Sequence, residues 1–143
     1  MKFWFIFYLP LFLFGKIGVG KIELETSIQP SLLLKKAKGA AYSLDDEESY
    51  LLLRQLEDLK EADIVLKKIE TNLSPLKFID VKMTTGRRLK VGTFHDPFLY
   101  PWILVSRTLQ HKGKKVLAMV IFHEEKTKID FFHLLDHLTI LSV

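Results

Sequence analysis

The sequence predicts an α+β fold in which a long N-terminal helix packs on an antiparallel sheet of about four to five strands, closed by a short C-terminal helix. Three observations predict it. Apolar residues recur at intervals of three and four from Leu52 to Leu73, the period changes to that of strands after Pro75, and a helical stripe returns near Phe131.

Met1-Lys2 supplies a short positive start, and Phe3 to Phe14 is an unbroken apolar run with Pro10 inside it. Gly18-Val19-Gly20 then places small residues where a signal peptidase reads them. The run is shorter than the roughly 20 residues of a spanning helix. Residues 1–20 are therefore expected to be an export signal ahead of one domain over residues 21–143, with a retained signal anchor as the alternative. Gly15 to Lys21 matches the glycine and lysine spacing of a phosphate-binding loop, but Ile22 stands where the magnesium-binding hydroxyl belongs and Pro30 interrupts the required helix.

Lys21 to Gln29 leaves strand and linker both open. Leu32 to Tyr42 has the Ala and Lys content of a helix, weakened by Gly39. Ser43, followed by Asp45, Asp46, Glu47 and Glu48, predicts the start of the long helix, because a hydroxyl caps its first amides and acids suit its positive end. Leu52, Leu56, Leu59, Ala62, Leu66, Ile69 and Leu73 would form its buried stripe, and Asn72, Ser74 and Pro75 its end.

Leu76 to Met83 and Leu89 to Phe94 flank the turn-forming Thr84-Thr85-Gly86-Arg87 and predict a hairpin. His95-Asp96-Pro97 breaks it, and Phe98 to Pro101 reads as an aromatic loop. Trp102 to Leu109 and Lys115 to Phe122 are two further strands joined at His111-Lys112-Gly113-Lys114. A helix is expected from about Lys128 to Leu138, with Phe131, Leu134, Leu135, Leu138 and Leu141 on one side.

Composition excludes several function classes. The formal net charge of +4 includes Lys2 and Lys16, which would leave with the signal, and basic and acidic residues are interleaved, so nucleic-acid binding is not expected. With no cysteine there is no disulfide, thiolate metal site or thiol nucleophile. In an exported protein this points to a periplasmic or secreted setting without disulfide staples.

No serine sits in a nucleophile-elbow pattern, and the adjacent acids Asp45-Asp46 and Glu124-Glu125 lie at element ends, so no enzyme is expected. On the last helix Asp130, His133 and His137 would gather on the face opposite the leucines as metal-ligand candidates. An ordinary polar face is the simpler reading, and no metal or cofactor is expected. The candidate ligand-binding residues are His95, Asp96, Tyr100, Trp102 and Arg107, since aromatic walls with a few polar groups suit a small-molecule pocket. The alternative is that Phe98, Tyr100 and Trp102 cap the core.

The order of elements from about Ser43 to Leu138 resembles the extracytoplasmic PAS-like sensor domains called Cache domains. The residues that carry the resemblance are the Leu76 to Val91 hairpin, the strand Trp102-Ile-Leu-Val-Ser-Arg-Thr-Leu, the Lys-Gly-Lys turn and Val116-Leu-Ala-Met-Val-Ile-Phe. The resemblance implies a long helix moving against a sheet that holds a ligand. The expected function is therefore an exported, non-catalytic small-molecule-binding or sensory module. The alternative is an envelope structural or assembly protein that pairs its long helix with a protein partner or with a second copy as a homodimer. Membrane attachment through residues 3–19 accompanies either reading.

Overall fold

In the computed structural model, which describes residues 15–44, 48–123 and 130–141, strands make up 53% and helices 16% of the described chain. The molecule is mostly β, which corrects the α+β expectation. Among the described residues ten strands run in chain order as β1 (Gly15–Val19), β2 (Ile22–Thr26), β3 (Ser31–Lys35), β4 (Gly39–Ser43), β5 (Tyr50–Leu56), β6 (Ile79–Lys82), β7 (Arg88–His95), β8 (Pro101–His111), β9 (Lys114–His123) and β10 (Thr139–Ile140). Helix α1 (Lys60–Asn72) follows β5 and helix α2 (Phe131–Asp136) precedes β10. The strands form a seven-stranded sheet, ordered β3-β4-β5-β9-β8-β7-β6, and a three-stranded sheet, ordered β1-β2-β10. Every strand pair is antiparallel.

The large sheet is covered on both faces. Val116, Ala118, Val120 and Phe122 of β9 point into one core with Leu51, Leu53, Leu89 and Val105, and the small sheet and α2 close it through Val19, Leu24, Phe131, Leu134 and Leu138. The intervening Leu117, Met119 and Ile121 point to the opposite face, where Leu56, Ala62 and Leu66 cover them. Strict alternation along β9 thus divides its side chains between two cores. Such a strand reads as a continuous apolar run because neither of its faces meets water.

The same reasoning explains why the long helix fails. Tyr50–Leu56 lies between β4 and β9, so Leu51 and Leu53 serve one core while Leu52 and Leu56 serve the other. Three consecutive leucines carry no period, and a short apolar run fits a doubly buried strand as well as a helix. What remains of the stripe is Ala62, Leu66 and Ile69, packed against the sheet. The face expected to receive a partner helix is therefore used inside the fold. Ser43 ends β4 instead of capping a helix, and Asp45 to Glu47 lie outside the described residues. The cap is Asp58, whose Oδ1 accepts from the amides of Lys60 at 2.8 Å and Glu61 at 3.1 Å. Leu32 to Tyr42, expected to be helical, is the β3-β4 hairpin.

The hairpin after Pro75 and the two strands after Pro101 form where expected, as β6-β7 and β8-β9. Lys112 and Gly113 both have positive φ, 49° and 81°, which gives the two-residue loop the twist of the flanking strands. The C-terminal helix is shorter than expected, because Thr139–Ile140 leaves it to pair with β2 and the Leu141 amide donates to Glu23 O at 2.8 Å.

Residues 1–14, most of the expected export signal, lie outside the described residues. Gly15 to Val19, its expected end, is β1, with Ile17 and Val19 buried in the core. Gly20 starts the two-residue β1-β2 loop with φ 58°, a left-handed conformation that strains any residue with a side chain. Removal of residues 1–20 would take β1 out of the small sheet.

Two stability outcomes follow. Leu117→Ala, at a position with 0% exposure, is expected to cost about 2–5 kcal/mol in urea unfolding. Leu32→Ala in the exposed strand β3 is expected to change stability by no more than about 0.5 kcal/mol.

Candidate functional site

The end of β7, the loop to β8 and the end of β9 build one aromatic cluster. The β8-β9 register sets Trp102 opposite His123, and their rings lie 3.6 Å apart between centroids. Both residues sit on the α1 side of the sheet, since Trp102 is two residues from Leu104 and His123 two from Ile121. Phe94 stacks beside Trp102 at 6.3 Å, and Tyr100 meets the His123 ring edge-on at 6.1 Å. His123 Nε2 stands 2.9 Å from Glu48 Oε2.

Asp96 organises the loop. Its Oδ1 accepts from the amides of Phe98 at 2.9 Å and Tyr100 at 3.1 Å, while its Oδ2 accepts from the Trp102 indole N–H at 3.0 Å. The indole bond, reinforced by the two amides and the nearby His123, holds the Asp96 carboxyl below the usual carboxylate range. With the carboxylate so engaged, the backbone turns sharply: Leu99 has φ 65°, a region a leucine seldom occupies. The result is a fixed loop that exposes Phe98 to 80% and Leu99 to 78%. Local strain of this kind persists only where surrounding contacts over-determine it.

The five expected ligand residues divide. Asp96, Tyr100 and Trp102 come together, and His95 ends β7 beside them, exposed and opposite Pro101. Arg107 does not join them. It lies five residues along β8 from Trp102, about 16 Å at the rise of a strand and on the opposite face.

Arg107 Nη1 donates to the carbonyls of Leu135, Asp136 and Leu138 at 2.8–2.9 Å, which ties the end of α2 to the sheet. Burial, then the neighbouring Arg87, pull its pKa down, against the attraction of Asp136. Asp136 itself is 2% exposed and accepts from Thr85 Oγ1 at 2.9 and 3.0 Å, with Arg87 Nη1 3.6 Å away. This network fastens the C-terminal helix and is structural.

The expected metal candidates take other positions. Asp130 caps α2 by accepting from the His133 amide at 3.0 Å, and the His133 and His137 rings lie with centroids 4.0 Å apart, tilted by 56°. Among the described residues no group of three or more histidines and acids is arranged to hold a metal. His123, central to the observed cluster, is not among the expected ligand residues. The signal was present in the turn, because counting back from Lys112-Gly113 pairs His123 with Trp102. No family model and no curated protein matches this chain.

Three outcomes test the assignments. Arg107→Met is expected to lose about 2–3 kcal/mol in urea unfolding, because buried carbonyls lose their donor, and Arg107→Lys to recover little of it. Asp96→Ala is expected to abolish hydrogen-exchange protection at the Phe98 and Tyr100 amides while leaving that of β9 intact. Since a depressed carboxylate pKa stabilises the loop above the ordinary carboxylate range and that stabilisation fades as pH falls through the depressed value, hydrogen-exchange protection of the Phe98 and Tyr100 amides should hold steady from neutral pH through that range. It should change only below it.

Proposed function

We propose that the domain is an exported, non-catalytic binding module that takes a small organic ligand against the Trp102 and His123 rings, under the loop Asp96 to Tyr100. The observation that carries this reading is the loop itself. The Asp96 carboxylate is committed to a loop that leaves Phe98, Leu99 and Tyr100 largely exposed beside the Trp102 and His123 rings. The Trp102 and Tyr100 rings beside Asp96 suit a ligand that carries a positive charge, which the two ring quadrupoles and the carboxylate attract together. Ligand entry would be sensed as a rearrangement of the loop. This takes the place of the helix movement that the Cache-like reading implied, since the helix following β5 is short and packed on the sheet.

The chain contains two tryptophans, so Trp4→Phe leaves Trp102 as the single indole reporter. Titration of that variant with small organic amines and their neutral isosteres is expected to shift Trp102 emission for one of the amines and to raise the unfolding temperature. The stabilisation should reach about 2.7 kcal/mol at a hundredfold excess over Kd. Tyr100→Ala should weaken the response. If no amine moves the emission of a protein that still unfolds cooperatively, the reading fails.

A further inference from the structure

A second surface stands apart from the aromatic loop. Strand β3 is the outermost strand of the seven-stranded sheet, and all five of its residues are exposed. Three of them are consecutive leucines, Leu32, Leu33 and Leu34, with exposures of 55%, 56% and 53%. An apolar edge of this kind is rare on a soluble surface and marks contact with something else.

The surroundings state what kind of partner fits. A cleft of about 590 Å³ adjoins Leu32 between β3 and the β1-β2 hairpin, and Lys16, Lys21 and Lys35 line it against the one carboxylate of Glu23. Lys36, also exposed, follows Lys35 at the end of the strand. The ridge is therefore apolar at its crest and cationic along its foot.

Pairing with another strand is opposed by the ridge's own geometry. A bulge between Leu32 and Leu34 breaks the register of β3 against β4, and bulges and lysines are the devices that spoil edge-to-edge pairing. The chain outside the described residues supplies an independent pointer. Gly15 lies against Ile28 and Gln29, immediately before Pro30 and β3, so the apolar stretch Phe3 to Phe14 joins the fold beside the same edge.

We propose that the β3 edge and its cleft are a membrane-contact face, on which Leu32, Leu33 and Leu34 enter the interfacial region of an anionic bilayer while Lys16, Lys21, Lys35 and Lys36 meet lipid phosphates. Apolar side chains set among cations bind such surfaces by burial and charge together, and each lysine near the surface adds to the attraction. The proposal is independent of the ligand site around Trp102.

The absence of cysteine allows single labels to be placed on the full chain. Leu33→Cys, and Ile64→Cys on α1 as a control of equal exposure, would each carry an environment-sensitive nitrobenzoxadiazole. Each is then mixed with phosphatidylcholine vesicles, with or without phosphatidylglycerol, containing a nitroxide-bearing lipid. The expected result is blue-shifted, nitroxide-quenched emission from position 33 with the phosphatidylglycerol vesicles, and little quenching from position 64. Replacing Lys35 and Lys36 together by Glu should weaken partition at least about tenfold, with urea unfolding unchanged.

Equal quenching at both positions, or quenching indifferent to the lysine reversals, overturns the proposal. So does a label at position 33 already shielded in buffer. At twice the monomer mass that shielding means that a second copy covers the edge, and at monomer mass that the Phe3 to Phe14 stretch does.

Discussion

The constraint on which the rest of the structure depends is that the central sheet has no wet face at β9. Val116 to Phe122 feeds one core with its even-numbered residues and a second core with its odd-numbered ones. A single strand cannot be buried on both sides unless separate layers exist to cover it. The small sheet with α2, on one side, and α1, on the other, are those layers. Each is too small to hold an apolar core alone, and each is held by the alternation of β9 and its neighbours β5 and β8.

That arrangement also separates the two polar assemblies of the molecule. Residues on β8 that face α1 lead to the aromatic cluster, whereas those that face α2 lead to the Arg107 clamp. The carboxylates in the two places do different work. Asp136 is buried and satisfied by Thr85 and Arg87, so it fixes the position of a helix. Asp96 holds an exposed loop through three hydrogen bonds and leaves apolar side chains facing solvent. Only the second arrangement presents chemistry to an outside molecule.

How much of this was legible in the sequence depended on whether a residue pattern had more than one structural solution. The strands after Pro75 were legible because β-branched and aromatic residues alternate between unmistakable turns, and Lys112-Gly113 fixes the register of the longest pair. Leu51 to Leu53 was not, because an unbroken triplet satisfies both periods. Ala40-Ala41 and the lysines around them favour a helix by propensity, yet pairing of β4 with β5 overrides it. Gly15 to Val19 was hidden by its position behind an apolar run, where small residues suggest a cleavage site more readily than a strand. Asp96, Tyr100 and Trp102 could be expected to lie together because they are close in sequence. Arg107 was misplaced because nearness along a strand was taken for nearness in space, and His123 was overlooked because its neighbour is supplied by pairing across the hairpin.

The small sheet joins β1 and β10 to the two edges of β2, and so draws on opposite ends of the described chain. A nascent polypeptide made from its amino end can assemble the β1-β2 hairpin early, but the third strand arrives only once residues 139 and 140 have left the ribosome. Until then one edge of β2 stays unpaired and the apolar layer above β9 is left without Phe131, Leu134 and Leu138. Completion of the small sheet therefore waits for residues 139 and 140, the last strand among the described residues, so the native state forms only after the chain between β2 and β10 is available.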